Sequence, residues 1–279
     1  MLLADLGADV VKIEKKEGAI FSGTPDTDHM NRSKRSIAID LKSPEGKRVA
    51  KSLIAASDVV IEGFRPGVME RLGLGPEQFH ESNSKLIYTR LTGWGQTGPS
   101  SRKGGHDINY IAESGVLYHI GMRGNAPSIP LNLIADFAGG GLMAAYAVMS
   151  TLYQRTQTGR GDVLDVGMFD SCIHLMSSLY GAVEEGYWST QRGTNLLDSG
   201  APFYNVYEAL DGNHIAVGAI EWQFYSAFLN AIGVSSIDSS DQFNNELWPR
   251  QIEIISNVVR TKPLSDWMKI FDDVDACVS

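Results

Sequence analysis

Short apolar runs of strand length alternate with segments of helical period through the first part of the chain. Asp9-Val10-Val11-Lys12-Ile13-Glu14 reads as a strand after a Gly7 stop, so the chain starts inside an α/β unit. Residues 16–31 are polar and turn-rich and lead to a second predicted strand over 36–41. Ser43 as N-cap, with Pro44 at the first helical position, opens a helix to about Ala56. Further strands are predicted over 58–62 and 85–91, with two short helices between them. Strands alternating with helices predict a mostly parallel sheet.

The stretch from Gly105 to Gly141 carries the densest candidate chemistry. It opens Gly105-His106-Asp107-Ile108-Asn109-Tyr110 and closes Leu131-Asn132-Leu133-Ile134-Ala135-Asp136-Phe137-Ala138-Gly139-Gly140-Gly141. The run up to Ala135 reads as strand-like and 142–149 as a buried helix, which puts Asp136 at a helix start. An N-cap role alone would account for an aspartate there. Three glycines in a first helical turn each cost about 1 kcal/mol relative to Ala, however, and close approach of another backbone or a ligand is the compensating reason. Backbone N–H groups near residues 136–140 could also hold an oxygen that gains negative charge.

The helix is predicted from about Phe137 to Arg155, followed by a strand over 162–168 and a second apolar helix over 169–181. Asp170 lies at the start of that second helix, and His174 along it reads as a satisfied histidine rather than a metal ligand. The Met-bearing helices 142–149 and 168–180 read mostly as core, with an adaptable surface for acyl chains as the second reading. From Trp188 the texture changes to Gly-rich turns and short strands, with Asp211-Gly212 as a hairpin signal and helices over 222–232, 247–260 and 264–271. These elements predict a large α/β domain over 1–190 and a small α+β domain over 191–279.

A net charge of −9 argues against a nucleic-acid or anionic-membrane surface. Within that acidic whole, Arg32, Lys34, Arg35 and Lys42 form a local basic group, and Arg65 and Arg71 also follow strands or enter helices. Ligands of open α/β sheets collect at such places. The cations fit either a solvated surface or a phosphate-bearing ligand. Neither GxGxxG nor GxxxxGK[ST] occurs, so no dinucleotide or P-loop motif stands behind a nucleotide reading. Cys172 and Cys277 lie far apart without CxxC spacing, which suggests a reducing compartment and no zinc site. No continuous apolar run reaches bilayer length, and neither end carries a signal peptide or peroxisomal address, so the expected location is cytoplasmic, or peroxisomal or mitochondrial in a eukaryote.

Residues 9–14, 34–41, 60–75, 105–110, 131–141 and 200–204 together resemble the family III CoA transferases and racemases of CaiB/BaiF type. The strings Arg71-Leu72-Gly73-Leu74-Gly75-Pro76, Gly93-Trp94-Gly95-Gln96-Thr97-Gly98 and Ala216-Val217-Gly218-Ala219-Ile220-Glu221 strengthen the similarity. The resemblance implies a Rossmann-like, mostly parallel lobe with a smaller α+β lobe, and relatives that extend beyond both ends of this chain. It implies a racemase of 2-methyl-branched acyl-CoA thioesters, with His106 and Asp136 exchanging the α-proton on opposite faces through an enolate and Glu221 supporting His106. Coenzyme A would be held by Lys15, Ile39, Asp40, Leu41, Lys42, Gly63, Phe64, Arg65, Arg71, Gly105, Asp107, Ile108, Asn109 and Tyr110. Lys15 stands where relatives often carry Arg, and a lysine there lacks the fork for bidentate phosphate binding.

No separate cofactor is implied, since coenzyme A is part of the substrate. The expected partner is a second copy in an interlocked homodimer, with no nucleic acid and no membrane. Two alternatives stand beside the racemase: a CoA transferase with Asp170 as nucleophile, and a non-catalytic CoA-binding relative.

Overall fold

The computed structural model of this 279-residue chain describes residues 1–15 and 27–279, so most of the predicted turn segment 16–31 lies outside the described residues. The chain divides into two compact units, Met1–Ser114 with Leu131–Leu175, and Gly115–Pro130 with Met176–Ser279.

The first unit is α/β. Its helices are α1 (Leu2–Asp5), α2 (Pro44–Ala55), α3 (Val68–Leu72), α4 (Asp107–Glu113), α5 (Met143–Thr158) and α6 (Met168–Leu175), and its strands are β1 (Val10–Glu14), β2 (Lys34–Ala38), β3 (Val59–Glu62), β4 (Ile87–Thr92) and β5 (Val163–Gly167). Every strand pair in this unit is parallel: β1 with β2, then β3, β4 and β5 in that order. The predicted mixed α/β class with parallel sheets is what the chain adopts. Ser43 caps α2 as predicted, its hydroxyl accepting from the Gly46 amide at 3.0 Å. Behind β4, Ala50, Ile54, Met69, Leu74, Phe79, Leu86 and Tyr88 form the core, and the buried Tyr88 hydroxyl donates to the Leu74 carbonyl at 2.7 Å.

Two local expectations are corrected. The strand-like run before Asp136 is helical: a π-helix spans Leu133–Leu142 and continues directly into α5, so Asp136 lies inside the first turn rather than at the N-cap. Apolar residues at short range are compatible with either period, and packing against α4 and α6 selects the helix. The single helix predicted over 169–181 is two, α6 and a following helix that starts at Ser177.

Joined, the π-helix and α5 make a 26-residue helical run, Leu133–Thr158, whose most apolar 18-residue window has mean hydropathy 1.4 and is only 28% buried. It is long and apolar enough to cross a membrane by length and composition, which the reading of separate runs had not found. In this chain it packs along β4 and β5. Its outward side leaves Leu133, Phe137, Leu142, Tyr146, Met149 and Tyr153 between 40% and 72% exposed, so much of what read as core is surface.

The second unit contains α7 (Ser177–Glu184), the antiparallel pair β6 (Tyr204–Glu208) and β7 (His214–Gly218), then α8 (Trp222–Ala231), α9 (Trp248–Val259) and α10 (Leu264–Phe271). Asp211-Gly212 makes the predicted turn, with Gly212 at φ 75°. The C-terminal residues extend this sheet, since Ala216 and Ser279 exchange backbone bonds of 2.7 and 3.0 Å. Phe203, Tyr225, Phe228, Trp248, Trp267 and Phe271 dominate its core, several in edge-to-face pairs. The unit's bounds differ from a single division at 190/191. Arg192 donates to the carbonyls of Tyr118, Met122 and Asn125 and lies over the Tyr118 ring, which fastens Gly115–Pro130 to this unit.

Candidate active site

A cavity of about 280 Å³ opens in the first unit between the segments after β3 and β4 and the start of α4. Gly63, Phe64 and Arg65 form one side, and Gly105, His106 and Tyr110 another. Thr92, Gly93 and Trp94 form the floor from the end of β4, while Ser101 and Lys103 complete the rim. Carboxyl ends of parallel strands are where open α/β sheets build sites, and this cavity follows that rule.

The turn after β3 is held from below. Glu62, 8% exposed, accepts the Phe64 amide at 2.7 Å, which sets the path of Gly63-Phe64-Arg65. Burial pushes the Glu62 carboxyl above its usual range, more than the Phe64 amide and the neighbouring Arg90 charge lower it. Arg90 is itself engaged, donating to Gln96 at 2.7 Å and to Glu70.

Tyr110 enters the cavity wall through space that two glycines leave. A Cβ on Gly93 would lie 2.2 Å from the Tyr110 hydroxyl oxygen, and one on Gly105 would lie 2.7 Å from the ring. The Trp94 ring meets Tyr110 edge-on at 4.9 Å. Burial, and then the charge of Asp136, push the Tyr110 hydroxyl pKa up, with Arg65 opposing, so the phenol stays protonated and Asp136 and Arg65 are both electrostatic neighbours of this wall. Thr92 Oγ1 and Trp94 Nε1 are buried polar atoms of the same wall without a hydrogen-bond partner.

His106 is exposed and is the N-cap residue of α4, where its amide donates to Asn109 Oδ1 at 3.1 Å. The next residue is turned inward. Asp107 is 3% exposed, and its Oδ2 accepts from the amides of Ala135 at 2.7 Å and Asp136 at 2.8 Å. The backbone positions of the two candidate proton carriers are thereby joined through one carboxylate. Asp107, expected among the coenzyme A ligands, is occupied within the protein instead, because a buried carboxylate needs donors and the helix start supplies them. Asp136 itself accepts from the Asn132 side chain at 3.1 Å.

The glycine run has a packing explanation. A Cβ on Gly139 would lie 3.2 Å from Ser171 Cβ and 3.3 Å from the Met168 carbonyl, so any larger residue here would crowd α6 against the π-helix. The amides expected to be free near Asp136 are in part taken, since Asp107 holds that of Asp136.

Of the other predicted ligands, Ile39 is buried, and Asp40 closes the turn into α2 with its side chain accepting the Lys42 amide at 2.9 Å. Leu41 is half-buried, while Lys15, Lys42, Arg71 and Asn109 are exposed, as is Ile108 at 37%. None of Lys15, residues 39–42 or Arg71 lines the cavity. Arg32 and Arg35 leave the expected basic group because each is paired with an acid, Asp5 and Asp9 respectively, at 2.5 Å. Lys103 was missed as a cavity cation, although the basic Arg102-Lys103 pair directly before Gly104-Gly105 was the available signal.

Asp170 stands apart from the cavity lining. Its carboxyl is pushed up, first by partial burial and then by Asp165, whose own Oδ2 accepts the Gln96 amide at 2.9 Å. Glu221 belongs to the second unit, where it is the exposed N-cap residue of α8.

The model of CoA-transferase family III matches residues 1–279, and the chain belongs to that family. It is 45% identical over 279 residues to the human alpha-methylacyl-CoA racemase, covering 100% of this chain and 72% of that protein. It is also 33% identical over 292 residues to the human succinyl-CoA:glutarate CoA-transferase, covering 98% of this chain and 65% of that one. Among solved structures, a hypothetical protein from Mycobacterium tuberculosis superposes with a TM-score of 0.78 at 27% identity, over 100% of this chain and 77% of that one. A CAIB/BAIF family protein from Brucella suis does so with a TM-score of 0.77 at 26% identity, over 96% and 76%.

The raised Glu62 pKa has a pH signature. A folded state that holds the Glu62 proton more tightly than the unfolded chain loses stability as pH rises from the ordinary carboxyl value of 4.5 through the raised one. Glu62→Gln, which keeps an acceptor oxygen for Phe64, should therefore raise Tm at neutral pH by on the order of 2 °C. The difference should vanish below pH 4.5. Thermal melts of both proteins across that range check this, and a variant less stable than wild type at neutral pH would contradict it.

Proposed function

We propose that this chain is an acyl-CoA enzyme that racemises the α-carbon of 2-methyl-branched acyl-CoA thioesters by proton exchange between His106 and Asp136. The observation that carries the reading is the carboxylate link from Asp107, directly after His106, to the amide of Asp136, beside a cavity with both a cation and a protonated phenol. The similarity to a racemase over the full chain supports it.

An α-proton next to a thioester is weakly acidic, so catalysis needs a base within hydrogen-bond reach and a donor for the oxygen that becomes negative. One proton carrier removes the α-proton, the electron pair moves onto the thioester oxygen, and the other carrier, starting protonated, delivers a proton to the opposite face. The carbon is inverted and each carrier has changed its protonation state. Each positioned proton transfer contributes about 10²–10⁴-fold. The Tyr110 hydroxyl is the donor that the wall offers to the enolate oxygen. Arg65 and Lys103 at the rim suit phosphate oxygens of the coenzyme, where charge-assisted bonds are worth about 1.5–3 kcal/mol each. The part given to Glu221 rests on the resemblance alone.

A second reading, a CoA transferase, is favoured by the raised Asp170 carboxyl and by transferase relatives. It needs an acceptor acid and a covalent acyl-enzyme at Asp170, whereas racemisation needs one thioester and no acceptor.

The exposed apolar face of the helix Leu133–Thr158 supports a homodimer, with a second copy covering Tyr146 and Tyr153. Sedimentation should give a dimer for the wild type and a monomer for a Tyr146→Asp, Tyr153→Asp double variant. A wild-type monomer would refute that assembly.

Incubating each enantiomer of a 2-methylacyl-CoA in D₂O, followed by mass and chirality analysis, tests the reaction. In His106→Ala the enantiomer served by His106 should stop exchanging while the other still exchanges without inversion, and Asp136→Asn should give the mirror result. Full racemisation in both folded variants would overturn the two-base assignment, and loss confined to Asp170 variants would favour the transferase.

Calorimetry with free coenzyme A should show affinity about 10-fold or more weaker in Arg65→Ala and Lys103→Ala, following the energy of a charge-assisted bond. Unchanged affinity in both would remove the phosphate role of the rim.

A further inference from the structure

We infer that Asp107 is a positioning residue for proton exchange at Asp136, a step that rests on the racemase reading and assigns this side chain a part other than ligand binding. Its carboxylate is 3% exposed, one oxygen holds the Ala135 and Asp136 amides, and the other oxygen is buried without a hydrogen-bond partner. A buried carboxylate with an unpartnered oxygen is costly, so the contacts it does make carry its stabilisation. Those contacts are the N-terminal amides of the helix that bears Asp136, the place where a helix most favours negative charge.

The surroundings of this bridge are buried. Asp107 is close enough to the fully buried Cys172 that its charge adds to burial in pushing the thiol up to about 11. Ala135 is 0% exposed, so no solvent stands in for the carboxylate at its amide. Covalent adjacency and the bond from the Asp136 amide to the Asp107 carboxylate therefore form a short connection from His106 to Asp136. Proton transfer to carbon is sensitive to placement, and a shift of about 1 Å can cost about 10²-fold. Held on one side by covalent adjacency and on the other by two short bonds, Asp136 keeps its distance from His106 while substrate enters and leaves.

The test compares wild type with Asp107→Asn, which preserves shape and an acceptor oxygen but removes the charge. Exchange in D₂O should fall by about 10-fold or more for the enantiomer deprotonated by Asp136, whose identity the Asp136→Asn variant defines, and much less for the one deprotonated by His106. Coenzyme A affinity and KM should stay within about 3-fold of wild type, since the side chain faces the helix start and not the ligand. Equal losses for both enantiomers, or normal turnover with weakened coenzyme A binding, would overturn the positioning role.

Circular dichroism and thermal melts establish folding first. Should Asp107→Asn fail to fold, Asp107→Ser, which retains an acceptor, carries the same comparison, and collapse of both would make Asp107 a stability element and also overturn the proposal. A wild type that exchanges neither enantiomer would instead remove the racemase reading itself.

Discussion

The first unit depends on a carboxylate placed at the start of a helix. Asp107 extends from the first residue of α4 to the amides of Ala135 and Asp136, and so fixes two segments far apart in sequence at one point. Helix starts leave N–H groups unsatisfied, and one at a buried residue such as Ala135 needs a protein acceptor. A carboxylate from elsewhere in the fold solves both problems, because it needs donors as much as the helix needs an acceptor. The cavity, the His106 segment and Asp136 are arranged around this contact.

Close packing is the second constraint, and glycine makes it possible in two places. Gly93 and Gly105 leave the volume that the Tyr110 ring occupies beside Trp94. In the π-helix, Gly139 and Gly140 let Met168 and Ser171 of α6 approach so closely that an added Cβ would lie 3.2–3.4 Å from them. A glycine run inside a helix lowers its local stability, and the helix–helix contact it permits offsets that cost. The π geometry of Leu133–Leu142 belongs with this crowding, since wider turns in helices occur where function or packing demands them.

Charge is distributed according to its surroundings rather than to its sequence density. Arg32 and Arg35 sit in the most basic stretch yet are neutralised by Asp5 and Asp9, acids that parallel pairing of β1 and β2 brings alongside. Arg65 and Lys103, less conspicuous in the sequence, are the cations that reach the cavity. Asp170 shows the converse, since partial burial and, after it, the neighbouring Asp165 charge raise its proton affinity outside the cavity lining.

Much of this was written into local sequence. Short apolar strand runs, the Ser43-Pro44 start and the Asp211-Gly212 turn follow from backbone preferences within a few residues, and all appear in the structure. The segment 105–110 and Asp136 stood out because their residue types carry proton chemistry. What the sequence could not decide was anything that depends on contacts between distant segments. A run such as Leu133–Ala135 satisfies strand and helix periods equally, and packing on α4 and α6 accompanies its helical form. The family resemblance placed Asp107 among the ligands, while its donors, the amides of Ala135 and Asp136, lie almost thirty residues away. The second unit claimed Gly115–Pro130 through Arg192 for the same reason: hydrogen bonds to backbone carbonyls leave no trace in side-chain identity, and the tertiary structure alone brings them together.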